Sequence, residues 1–177
     1  MLKGVANGLR LVFPVIILMA VAWPAYVSAA DELWQTRELP LSLAQKAANA
    51  AVTQCRKDGY RVSAAVVDRG GNVQALLRED GAGPHTLDSS RKKAYTASSL
   101  GRSTQELAGL IVKIPAIQAL RDMNENILIL GGGLPIKIAG QVVGGIGVGG
   151  APGAQLDEAC ARKGLDAIET SLGKPAD

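Results

Sequence analysis

Apolar and polar positions follow two different periods along this chain, and the switches between them mark out its elements. From Leu41 onward, Ala44, Ala47, Ala48, Ala51, Val52 and Cys55 recur at helical intervals with polar residues between them. Ser42 and Gln45 have the spacing of a capping box, so the pattern predicts an amphipathic helix that ends at Gly59. YRVSAAVVD and NVQALLRED are then rich in strand-forming residues. Arg69, Gly70 and Gly71 between them suit a tight turn, which predicts a hairpin.

DGAGPHT is a loop of small residues that brings Thr86 to the N-cap of a second helix over 87–100, whose apolar side is again made of small residues. A third helical stretch over 104–112 meets Pro115, and a weaker segment continues to Asn126. ILIL, a turn at 131–133, LPIKI, a turn at 139–141 and VVGGIGVGG read as a second β-unit. After Pro152, Leu156, Ala159, Cys160, Ala167, Ile168 and Leu172 share one side of a closing helix. Helix, hairpin, helices, hairpin, helix predicts a single α/β sandwich domain, a largely antiparallel sheet flanked by helices, because short turns join only antiparallel neighbours.

Residues 1–30 do not share this patterning. Lys3 and Arg10 form a positive start, 11–22 is apolar apart from Pro14, and Ser28 and Ala30 are the small residues of a cleavage site before Asp31. A signal peptide over 1–30 and a mature domain over 31–177 are expected, which places the protein in the periplasm or outside the cell. The alternative is an uncleaved anchor, but the run up to Pro24 falls short of the ~20 residues of a spanning helix.

Removing the leader alters the charge. It holds two of the 19 Lys and Arg and none of the 16 Asp and Glu, so the mature chain carries a net charge of +1. It also holds Phe13, Trp23 and Tyr26, leaving Trp34, Tyr60 and Tyr95 as the aromatics. A nearly neutral, aromatic-poor chain lacks both the phosphate-binding charge and the stacking platforms of a nucleic-acid binder.

Gly145, Gly147 and Gly150 follow the order G-x-G-x-x-G between a β-run and a helix, which is how a dinucleotide-binding turn reads. Such a site also needs a further parallel strand carrying an acidic residue, and no strand follows the helix here. The glycines are therefore expected to permit close backbone approach or to mark a bulge. The N–H groups that open the last helix remain candidates for binding a carboxylate.

Candidate chemistry gathers around His85, the sole histidine, which excludes a zinc site built from several imidazoles of one chain. A Ser/His/Asp arrangement would have to draw on Asp88, Ser89 or Ser90, none of them in a nucleophile-elbow context. Arg78, Arg91, Lys92 and Lys93, with Tyr95 and Thr96 on the same helix, would suit an anionic ligand, or else form a solvated helix face. Asp68 and Asp80 are placed at turns. Cys55 and Cys160 lie on the apolar sides of the first and last helices and, in an oxidising compartment, are expected to form a disulfide. Buried free thiols are the alternative.

VVDRGGNVQALLREDGAGPHTLDSSRKKAYTAS, LGGGLPI and GGIGVGGAPGAQLDEACARKGLDAI together resemble the GlcG/HbpS family of haem-binding proteins, from about Leu41 to Leu172. The resemblance implies a profilin-like sandwich, assembly into higher homo-oligomers, often octamers, and haem as cofactor in binding, degradation or sensing. On the matching positions it implies His85 as iron ligand with Thr96 as fallback, and Arg78, Lys93 and Tyr95 as neighbours of the haem. Aliphatic residues of the second hairpin would supply the pocket's apolar wall. The acidic pair that binds iron in some exported relatives would fall in LSLAQKAANAAVTQCRK, which contains no acid.

The leading expectation is thus an exported haem-binding protein. The alternatives are a non-enzymatic oligomeric module that binds a small organic anion or contacts a membrane sensor protein, and an accessory enzyme acting on a hydroxy acid.

Overall fold

A computed structural model of the protein describes residues 35–172; the expected signal peptide and Trp34 lie outside them. The elements run α1 (Leu41–Lys57), β1 (Ser63–Asp68), β2 (Val73–Arg78), α2 (His85–Leu100), α3 (Thr104–Lys113), a 3-10 helix (Pro115–Arg121), β3 (Gly133–Ile138), β4 (Gln141–Gly149) and α4 (Ala154–Leu172). The strands form one antiparallel sheet in the order β2-β1-β4-β3. Helices cover both faces, α1 and α4 on one and α2 on the other.

The central strand β1 explains the layering. Ala64 and Val66 belong to the main core with Ala47, Ala48 and Ala51 of α1 and Ala161 and Ile168 of α4. Ala65 and Val67, on the opposite side of the pleat, meet Ala94 of α2. Both faces of β1 are buried, so its run is continuously apolar rather than alternating. Leu107 and Ile111 of α3 close a smaller cluster with Ile127 and Ile129.

The glycines of β4 have the structural role expected of them. A Cβ at Gly145 would collide with the Ala94 carbonyl oxygen, and one at Gly147 with that of Ser90. These glycines let the backbone of α2 lie directly on the strand, which is why the facing side of α2 is also built from small residues.

Four local expectations are corrected. The capping box at Ser42 and Gln45 does not form: the helix starts at Leu41, and the Pro40 carbonyl accepts from the N–H groups of Leu43 and Ala44. Thr86 is not an N-cap: the helix begins at His85, and Pro84, at φ −61° and ψ −31°, holds the cap position with no side-chain hydrogen bond. The Thr86 hydroxyl turns inward to the Gly83 carbonyl at 2.6 Å and to Ser63 at 2.7 Å. ILIL is not a strand; the second hairpin is β3 with β4, and the stretch before it packs Ile127 and Ile129 against α3. The weak segment after Pro115 is a 3-10 helix with no buried residue.

Cys55 and Cys160 form a disulfide between α1 and α4, their Cα atoms 5.6 Å apart and 105 positions apart in sequence.

Candidate functional site

The register of the sheet places the end of β2 and the start of α2 at one edge of the domain. Ser63 pairs with both Arg78 and Gly149, so these residues share one end of the sheet. Arg78 ends β2, and its guanidinium donates to the Ala82 carbonyl, from Nε at 2.9 Å, which holds the loop in a fixed turn. His85 opens α2 on the exposed surface, with its ring over Gly83, where a Cβ would come within 2.7 Å of the imidazole. Arg78 and His85 therefore flank the same short loop. Arg61 joins them, donating to the Asp80 carbonyl at 3.3 Å, while Arg56 pairs with Glu79 at 2.5 Å.

The other expected site residues lie elsewhere. Thr96 is fully buried; its hydroxyl donates to the Lys92 carbonyl and accepts from the Leu128 N–H, both at 2.8 Å. It is committed to holding the 127–130 stretch against α2. The ring of Tyr95 rests on Gly71 in the first hairpin turn, at the far end of the sheet. Eleven residues of helix separate His85 from Thr96, about 16 Å of rise, so one iron atom cannot be reached by both.

Lys93 requires a correction of the expectation that it faces a bound propionate. It is 2% exposed, and its ammonium is held inside the fold by Asp157 Oδ2 at 2.7 Å and the Val148 carbonyl at 2.9 Å. The other Asp157 oxygen accepts from the Ala151 N–H at 3.0 Å. The carboxylate expected at the glycine turn before the last helix is thus the chain's own. Burial pushes the Asp157 carboxyl above its ordinary value, and the Lys93 ammonium pulls it back. No local signal marked Asp157, because its partner lies 64 positions away.

The remaining charges of α2 also pair at short range. Asp88 bonds to Arg91 at 2.8 Å and to Lys92 at 3.3 Å, and the Arg91 hydrogen bond is the main cause that holds its carboxyl below the ordinary value. Arg91 further donates to Asn126 at 2.8 Å. Part of the basic cluster is therefore a solvated, self-paired helix face.

The apolar wall expected from the second hairpin is corrected as well. Leu134, Ile136, Ile146 and Val148 are buried in the main core and unavailable to a ligand. The exposed aliphatic residues near the loop are Leu76 and Leu77 of the edge strand β2.

A four-stranded antiparallel sheet between two helical layers, with an imidazole displayed at the start of the helix that crosses its face, defines a single-domain α/β sandwich. The family model for the haem-degrading HbpS-like proteins matches residues 39–166, and the chain belongs to that family. It is 46% identical to HbpS in its crystal structure, with a TM-score of 0.73 over 78% of this chain and 95% of that one. It is 32% identical to the GlcG protein of Escherichia coli K12 over 60% of this chain and 80% of GlcG. PduOC, crystallised as a haem complex, shares the fold at 24% identity and a TM-score of 0.68, over 75% of this chain and 96% of that one. Membership places the chain among haem-related proteins.

Proposed function

We propose that this protein is an exported haem-binding protein, with the haem seated at the β2–α2 loop and His85 as iron ligand. The observation that carries the reading is the position of His85: the chain's sole imidazole is exposed at the head of α2. Thr96, the alternative donor, is fully buried and already bonded on both sides. Arg78 and Arg61 border the same loop and carry N–H groups suited to propionate oxygens. Leu76 and Leu77, exposed on opposite faces of the edge strand β2, each offer an aliphatic contact beside the loop.

This donor set fits haem in its ligand and its cations but leaves one side open. A higher homo-oligomer, expected from the family, would close that side with a second copy. Haem held there would supply a redox-active iron whose electronics respond to the residue that binds it and to the surrounding polarity. The chain's own part would be to orient that ligand, through the Arg78 bond to Ala82 that fixes the loop. Turnover of the haem, or relay of its binding to a membrane sensor protein, would follow from the same seat.

Titration of the mature protein with ferric haem tests the reading. A saturable, shifted Soret band is expected, with His85→Ala losing the shift and Thr96→Val retaining it. An unchanged spectrum for His85→Ala would remove the assignment.

A further inference from the structure

On the opposite side of the domain, α3, β3 and α4 enclose a cleft of about 550 Å3, within the size range of small-molecule sites. It does not touch the β2–α2 loop, and nothing in the haem reading uses it. Its floor is β3, which lies at the sheet edge. An extended peptide could add to such an edge, but Pro135 removes a donor from the middle of the strand and a bulge follows at Ile136 and Lys137. The edge is guarded against strand addition, so a compact occupant fits better.

The charges around the cleft are unequal in environment. Arg102 is paired with Glu106 at 2.8 Å, and Asp166 with Lys163 at 3.2 Å. That leaves Glu158, Glu169, Lys137 and Arg162 as the other charged lining residues. Glu169, Lys137 and Arg162 are exposed, where solvent and salt screen them. Glu158 differs: its Oε2 is closed off from water and receives no hydrogen bond from any described residue. A carboxylate oxygen withdrawn from solvent demands a donor. Since the protein supplies none, the charge a ligand brings is set by Glu158 rather than by the rim. Beside it, the half-buried Pro135, Leu165 and Leu172 offer apolar contact.

We propose that this cleft is a binding site for a small primary aliphatic amine, its ammonium donating to the Glu158 carboxylate as that side chain turns its covered oxygen into the cleft, and its carbon chain lying against Pro135, Leu165 and Leu172. Amine and haem would occupy separate sites, so the two can be tested apart.

The experiment is an amide NMR titration of the mature, haem-free protein with butylammonium and, in parallel, with butyrate. Saturable shifts confined to residues lining the cleft are expected for butylammonium and not for butyrate. Glu158→Gln, which keeps shape and removes charge, should weaken the amine by about tenfold or more, the scale of a charged hydrogen bond. Glu169→Gln, a rim change, should weaken it by less than about threefold. Amide positions away from the cleft report whether each variant keeps the fold. Equal binding of butyrate, undiminished binding by folded Glu158→Gln, or no saturable shift with the amine would each overturn the proposal.

Discussion

Replacing Lys93 by Met probes the buried pair that ties α2 to α4. The ammonium and the Asp157 carboxylate are 2% and 5% exposed and 2.7 Å apart. Removing one partner of such a pair leaves the other charge buried and costs about 3–5 kcal/mol. Against a total stability of about 5–15 kcal/mol for a domain, that is a large loss, about 10 °C or more in Tm at this chain length. The cost should depend on pH. Burial raises the Asp157 carboxyl and Lys93 opposes that rise, so without Lys93 the folded carboxyl moves further up. A folded value above the unfolded one means that the native state binds the extra proton between the two. The associated stability is fully present below the unfolded value and lost as pH rises through the folded one. The deficit of Lys93→Met relative to the parent should therefore be largest near neutrality and shrink as acid neutralises Asp157. Urea unfolding between pH 7 and pH 4 measures it. Adding Asp157→Asn, which keeps an acceptor for the Ala151 N–H, should recover much of the loss at neutral pH. A deficit below about 1 kcal/mol, or one that grows on acidification, would refute the reasoning.

Other outcomes test the disulfide, two glycines, the expected leader and the expected assembly. Reduction of Cys55–Cys160, or its replacement by serines, opens a link across 105 positions and should destabilise the domain by about 4–5 kcal/mol on the chain-entropy model, read by denaturant unfolding with and without reductant. Gly147→Ala should cost about 1–3 kcal/mol in thermal unfolding, since its methyl group would displace α2 from β4, whereas Gly109→Ala, on α3 with no neighbour in reach, should gain about 0.5–1 kcal/mol. Intact-mass measurement on exported protein should give a chain beginning near Asp31, and light scattering should give a multiple of the protomer mass.

The placement of the proposed haem site follows the sequence only in part. His85 was identifiable as the sole imidazole, and Arg78 as one of the cations close to it in sequence. Lys93 and Thr96 read as members of the same basic and hydroxyl cluster because they lie within one helix. A helix turns successive residues through about 100°, so closeness in sequence sends side chains to different surroundings. Lys93 faces the sheet, Thr96 faces the 127–130 stretch, and Arg91 and Lys92 face solvent beside Asp88. The cleft between α3, β3 and α4 left no sequence signal, since its walls come from three separate elements.

Periodicity by itself determined the order of the elements, because a 3.6-residue repeat and a strand run each report which side of a local segment meets the core. It also determined that the β-runs pair through short turns, and it placed both cysteines on apolar helix faces. The tertiary structure alone decided which charges are internal. Asp157 reaches Lys93 across 64 positions, and the sum of their desolvation and attraction depends on how α2, β4 and α4 converge. It alone decided too which backbone Gly145 and Gly147 admit, that of α2, because the space above a glycine is filled by whatever packs there.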